Sequence, residues 1–269
     1  MTLTPAASRD RHHSAEHILS LRGIGKRFGA VRALSNVDMD VYAGEVVAIV
    51  GDNGAGKSTL VKILAGVHPQ DGGTISFYGE EQSLANPTDA RDLGIATVFQ
   101  DLALSDSLDV VSNLWLGREL TRGGVLDEIE MEQRSWSLLR ELSARVPSVR
   151  TPVASLSGGQ RQTVAIARSL IGEPSVVILD EPTAALGIAQ TAEVLNLIER
   201  LRERGLGVIL ISHNLADVLA VADRIVVLRL GRNNGNFRVA DVTSEQVIAA
   251  ITGATDHGAR RPTASEETR

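Results

Sequence analysis

The chain has 269 residues, 43% of them hydrophobic, and a formal net charge of −6. That length suits one domain, or one domain with a subdomain, and the apolar share is enough for a large core. The acidic total weighs against a nucleic-acid surface, the lack of cysteine excludes disulfides and Cys-based zinc sites, and no run approaches the ~18 apolar residues of a membrane span.

Residues 1–16 are polar with no apolar h-region, and read as a disordered tail rather than a secretory signal. His12, His13 and His17 have no further Cys or His nearby to complete a metal site. Ile18–Leu21 and Val37–Val41 alternate and read as strands. Phe28 is either a strand-end aromatic or a face on which a nucleotide base stacks; local sequence leaves both open. The apolar run Val46–Val50 leads into Gly51-Asp52-Asn53-Gly54-Ala55-Gly56-Lys57-Ser58-Thr59 and then Leu60–Ala65. That is strand, glycine-rich loop, helix, and G-x-x-x-x-G-K-[ST] is P-loop spacing. The glycines let successive backbone N–H groups point at phosphate oxygens, and the helix starting near Lys57 adds its positive end. Lys57 is expected to reach the β- and γ-phosphates, Ser58 to ligate Mg²⁺, and Thr59 to help hold the α- and β-phosphates.

Thr74–Gly79 reads as a strand and turn, and residues 86–93 as a short helix with Pro87 near its start. Gly94–Gln100 is a buried strand whose terminal amide sits where ligands bind in α/β folds. From Asp101 to about Ser155 strand runs vanish. Leu108, Val111, Leu114 and Trp115 share one helical face, and Leu138, Leu139 and Leu142 another. Residues 101–170 are expected to form a helical insertion, with Trp115 and Trp136 in its core. In Leu156-Ser157-Gly158-Gly159-Gln160, Ser157 is an N-cap and the glycines leave backbone N–H groups accessible at a helix start. This second anion site suggests a nucleotide held from two sides.

Ser175–Leu179 is a central parallel strand, ending in Asp180-Glu181. Beside a P-loop, Asp180 is the usual Mg²⁺ partner and Glu181 is placed to polarise the attacking water; a helix-capping pair is the alternative. Ile188–Arg204 reads as a helix with Val194, Leu195, Leu197, Ile198 and Leu201 inward. The strand Leu206–Ser212 ends at His213, a plain loop residue or an imidazole that hydrogen-bonds a γ-phosphate. A helix (Leu215–Val221), a strand (Arg224–Leu228), a turn (Gly231–Asn236), a short strand (Phe237–Val239) and a last helix (Ser244–Ile251) follow. Residues 254–269 are expected to be a disordered tail.

This motif set resembles the ATP-binding subunits of ABC transporters over about residues 18–253. The P-loop Gly51–Thr59, Gln100, the signature Leu156–Gln160, Val176–Asp180, Glu181 and His213 occur in the family's order. Phe99–Leu104 and Glu181–Gly187 look like the monosaccharide importers of the ribose, fructose and xylose group. The resemblance implies an α/β P-loop NTPase (RecA-like) core over 17–253, with an antiparallel β-subdomain and the helical insertion. It implies an ATPase at the cytoplasmic face of the membrane, with ATP and Mg²⁺ as cofactors and an integral permease as partner. An extracytoplasmic sugar-binding protein enters indirectly, and no nucleic acid is involved. Two domains would face head to tail, each ATP lying between one P-loop and the other's Ser157, Gly158, Gly159 and Gln160. A single copy in the chain points to a homodimer. Phe28 matches the family's base-stacking aromatic, and Gln100, Glu181 and His213 its catalytic positions, with Ser58, Gln100 and Asp180 around Mg²⁺. One departure is Gly187, where most of the family has aspartate. An exporter or an importer of another substrate is the alternative, and a non-transport ABC protein a more distant one.

Overall fold

The computed structural model describes residues 17–254; the two expected tails, apart from Ala254, lie outside them together with His12 and His13. Alternation in the first described residues produces two long strands, β1 (His17–Phe28) and β2 (Val31–Tyr42), paired antiparallel from His17 opposite Tyr42 to Phe28 opposite Val31. His17 packs edge-on against Tyr42. The fully apolar β3 (Val46–Val50) follows, and then α1 (Lys57–Leu64). Strands β4 (Gly72–Phe77) and β5 (Glu80–Gln82) complete an antiparallel sheet of order β2-β1-β4-β5. Helix α2 (Pro87–Asp92) starts with Pro87 at a position that needs no backbone donor, capped by the Asn86 side chain. Strand β6 (Ile95–Val98) ends just short of Gln100.

The insertion holds α3 (Val110–Trp115), α4 (Glu128–Glu141) and α5 (Gly158–Leu170). It is not free of strand. A hairpin of β7 (Thr121–Arg122) and β8 (Val125–Leu126) turns through Gly123 and Gly124, both at positive φ. Two adjacent positive φ values are what a tight hairpin turn requires, so the Gly-Gly pair was the cue. Trp115 is buried, its indole donating to the Met131 carbonyl (3.1 Å) and Ser135 Oγ (3.0 Å). Trp136 packs against the same core from its edge.

Beyond the insertion come β9 (Val176–Asp180), α6 (Ile188–Glu203), β10 (Gly207–Ile211), α7 (Leu215–Val221), β11 (Arg224–Arg229), β12 (Arg232–Arg238) and α8 (Ser244–Thr252). The main sheet has six strands in the order β12-β11-β3-β10-β9-β6. All pairs are parallel except β11 with the edge strand β12. Both faces are covered: Val46, Ala48 and Val50 face a core shared with the helices, Val47 and Ile49 a second core shared with the antiparallel sheet. Helix α1 buries Leu60, Val61, Ile63 and Leu64 in that second core.

The end of the chain corrects the expected turn over Gly231–Asn236. The turn is tighter, at Leu230 and Gly231 (φ 49° and 74°), and Arg232–Arg238 is strand. The polar composition is compatible with an edge strand because its amides are satisfied. Asn233 Nδ2 donates to the Asp38 carbonyl (3.0 Å) and Asn234 Nδ2 to that of Ala250 (2.6 Å).

Candidate nucleotide-binding site

Strands β3, β9 and β10 are neighbours, so the segments leaving their C-terminal ends converge. The P-loop leaves β3, the acidic pair ends β9, and His213 stands two residues beyond the end of β10. Gly51, Asp52 and Asn53 of the loop share a cavity of about 410 Å³ with Ser212 and His213. Two of the loop's glycines have steric causes. A Cβ on Gly51 would lie 2.2 Å from the Leu228 carbonyl oxygen. One on Gly56, at φ 107°, would lie 2.7 Å from Leu34 Cδ2. The loop is thus seated directly on β11 and β2. Gly54, Ser58, Asp52 and Asn53 are exposed, Thr59 is half-buried, and Ala55 is buried beneath. Lys57 Nζ folds over the loop and donates to the carbonyls of Gly51 (2.7 Å) and Asp52 (3.1 Å).

Asp180 carries a pKa raised above the ordinary carboxyl value, first by burial and then by the charge of Glu181, with Lys57 and Lys62 pulling it back. Glu181 departs from β geometry at φ 52°, a left-handed conformation that costs about 1–3 kcal/mol in a non-glycine residue. Its amide is held by the Ile211 carbonyl (2.9 Å), and its Oε2 accepts from His213 Nδ1 at 2.7 Å. The turn behind it is tied to α7, where Thr183 Oγ1 donates to Asp217 Oδ2 at 2.7 Å. Asp217 was missed in the sequence; its only signal there was an acid in the first turn of a helix.

The Ser58 hydroxyl, the Gln100 amide and the Asp180 carboxylate would each offer Mg²⁺ an oxygen ligand. The half-buried Asp180, beside the like charge of Glu181, would gain from a cation. Among the described residues no three His, Cys, Asp or Glu side chains converge on one point, so phosphate oxygens would have to complete the shell. Gln100 lies exposed in the segment after β6.

Phe28 is 44% exposed at the end of β1. The ring of His68 meets it edge-on at 5.4 Å, and Lys26 Nζ stands 5.6 Å from its centre. Lys26 is itself anchored by Asp71 at 2.8 Å. The exposed part of the ring would offer a base an apolar surface. Phe28→Ala is expected to weaken ATP binding about tenfold, the scale of one lost base–aromatic stack, while leaving affinity for tripolyphosphate unchanged; equal losses for both ligands would remove Phe28 from the base site.

Ser157 caps α5, accepting from Gln160 N (3.3 Å), while Gln160 Oε1 accepts from Ser157 N (2.9 Å). Gln160 also reaches the Arg145 carbonyl at 2.8 Å. The expectation that both glycines are open needs correction, because Gly158 is exposed but Gly159 is buried. Their missing side chains make room for α6 and its approach. A Cβ on Gly158 would meet Leu186 Cδ2 at 3.0 Å, and one on Gly159 Gln190 Cβ at 3.0 Å. Gly159→Ala should therefore overpack this contact and cost about 1–3 kcal/mol, read as a lowered melting temperature; an unchanged melting curve would refute it. Gly187, at the start of α6, has nothing within 4 Å of where a Cβ would stand, so the fold does not demand glycine there. None of Ser157–Gln160 lines the P-loop cavity.

A phosphate-cradling loop, an acidic strand end and an imidazole on adjacent parallel strands define a P-loop nucleotide-binding protein. The ABC transporter family pattern matches residues 34–184. The Xylose/arabinose import ATP-binding protein XylG of Sulfolobus acidocaldarius is 43% identical over 87% of this chain and 94% of its own length. The Fructose import ATP-binding protein FrcA of Rhizobium meliloti is 44% identical over 89% and 95%. The chain also spans about half (48%) of the Ribose import ATP-binding protein RbsA 1 of Burkholderia cenocepacia, at 40% identity. A nucleotide-free ATP-binding cassette from an ABC transporter has a TM-score of 0.76 at 27% identity, covering 88% of this chain and 95% of that one. The dimeric MJ0796 cassette scores 0.70 at 26% identity, over 82% and 98%. The chain belongs to the ABC transporter family, as an ATP-binding, ATP-hydrolysing subunit.

Proposed function

We propose that this subunit powers the import of a sugar, most closely a monosaccharide, through a membrane permease. The observation carrying this is its near full-length similarity to the xylose/arabinose and fructose import proteins. Two copies face head to tail, because the capped start of α5 does not line its own chain's P-loop cavity and is free to close on a neighbour's nucleotide. Phe28 stacks on the base. The P-loop amides and Lys57 hold the phosphates, Lys57 exchanging the Gly51 and Asp52 carbonyls for phosphate oxygens. Ser58, Gln100 and Asp180 would hold Mg²⁺, whose charge would offset that of the phosphates when it is bound.

Glu181 takes the proton of the attacking water as general base. His213 keeps that carboxylate in place through Nδ1 and lies beside the loop that carries the γ-phosphate. The protein works at the cytoplasmic face of the membrane; none of its described helices is long and apolar enough to cross one. The test is co-purification of the tagged full chain from gently solubilised membranes. Recovery of a multi-span permease, with ATP hydrolysis that rises when a sugar-loaded binding protein is added, is expected. Ribosomal or DNA-repair partners without a permease would overturn the reading.

A further inference from the structure

Phe28 closes β1 just before the turn at Gly29 (φ 58°), and an exposed aromatic ring in such a place has several rotamers open to it. Its ring partner is His68, with centroids 5.4 Å apart and planes at 70°. His68 is half-buried and stands on neither strand of the hairpin. It lies just past α1, where the amides of Val67 and His68 both donate to the Lys62 carbonyl (2.8 and 3.2 Å). That helix begins at Lys57 in the P-loop and has 8 residues, so the imidazole sits about 12 Å from the loop at the helix's far end. The segment that follows is fastened to β1 by four bonds. Lys26 Nζ donates to the Pro69 carbonyl (2.6 Å) and to Asp71 Oδ1 (2.8 Å), the Arg27 amide donates to Asp71 Oδ2 (2.6 Å), and the Asp71 amide donates to the Gly25 carbonyl (2.9 Å). Lys26 is only 9% exposed, so its ammonium needs these acceptors. Lys26, and then the Arg27 amide, hold the Asp71 carboxyl below its ordinary pKa. The pairing of β1 with β2 is irregular on both sides of Lys26, and such irregularities re-aim the side chains beside them.

We infer that His68 is a positioning residue for the nucleobase: its contact sets the orientation in which Phe28 meets the base, and the fastened loop keeps that contact at a fixed distance from the P-loop. The inference rests on the base-stacking reading of Phe28 and adds the group that acts through the ring. Two rings meeting edge to face favour that geometry over others, because the positive edge of one is drawn to the negative face of the other. A ring already held in one orientation loses less freedom when the base arrives. The partner ring belongs to the end of the P-loop helix, and the loop beyond it is bonded to β1. The groups that meet base and phosphates are therefore linked through one helix. That arrangement favours a ligand carrying both an aromatic base and phosphates over an inorganic polyphosphate, so His68 bears on the discrimination between them.

The experiment titrates the purified full chain with ATP and with tripolyphosphate by calorimetry, in EDTA so that nucleotide is not turned over. The proteins are the wild type, H68A, H68Y, F28A and F28A/H68A. H68A should weaken ATP binding about three- to tenfold, the scale of one aromatic pair, and leave tripolyphosphate binding as it was. H68Y, which restores a ring, should bring ATP affinity back to within about twofold of the wild type. In the F28A background the further change to H68A should cost less than about twofold, because a residue that acts through Phe28 has nothing left to act on. With Mg²⁺ present, the loss in H68A should appear in KM for ATP rather than in kcat. Unchanged ATP affinity in H68A, equal losses for ATP and tripolyphosphate, no rescue by H68Y, or the same cost with and without Phe28 would each overturn the inference. An ATP-specific loss in F28A with none in H68A would overturn it alone and leave the base-stacking reading standing. F28A without an ATP-specific loss would overturn both.

Discussion

Glu181→Gln will keep ATP binding and lower turnover about 10²–10⁴-fold, the range expected when a general base is removed. The substitution is nearly isosteric, and the amide oxygen of glutamine can still accept from His213 Nδ1, so the 2.7 Å contact and the turn at φ 52° are retained. What is lost is the proton acceptor. With hydrolysis blocked and binding intact, the ATP-bound pair of subunits should persist and elute as a dimer in gel filtration with ATP and Mg²⁺. Turnover at the wild-type rate would take Glu181 out of the role of base.

Asp180→Asn should stabilise the nucleotide-free protein while disabling it. Burial and the neighbouring Glu181 raise the Asp180 pKa in the fold. A carboxyl whose folded pKa lies above its unfolded one costs stability once ionised: the cost is absent well below the unfolded value, grows as pH rises through the interval, and is complete above the folded value. Asparagine keeps the shape and removes the charge. The melting temperature at pH 7 should rise by about 2–4 °C for each kcal/mol relieved, and the gain should fade toward pH 4. Hydrolysis should fall about as far as for Glu181→Gln, since the Mg²⁺ partner is gone. A melting temperature at pH 7 below that of the wild type would contradict this account.

What could be read from the sequence was chemistry carried by local spacing. The P-loop, the Ser157 cap, the Asp180-Glu181 strand end and the start of α7 each depend on residues a few positions apart. The order of the main sheet was not legible, because β3 pairs with β10 and β11 from far along the chain. The β7–β8 hairpin escaped because a two-residue strand has no period to detect. Strand β12 escaped because Asn233, Asn234 and Gly235 look like turn chemistry until the side-chain bonds to Asp38 and Ala250 are known. Gly158 and Gly159 were read as openings for a ligand; their additional role, admitting Leu186 and Gln190, depends on a helix that begins thirty positions away. The Thr183–Asp217 bond joins the turn after β9 to helix α7 by tertiary contact alone.

The position of β3 between β10 and β11 also bears on how the chain is made. Ile49 pairs with Ile211 on one side and Val226 on the other. During synthesis the strand leading into the P-loop has neither neighbour until about 160 further residues have emerged, roughly 8–30 s at ribosomal speed. Through that interval an all-apolar strand is unpaired, while the β1–β2 hairpin before it can already form. The nascent chain is therefore most exposed to aggregation through the middle of its synthesis, and its nucleotide pocket is among the last parts to be assembled.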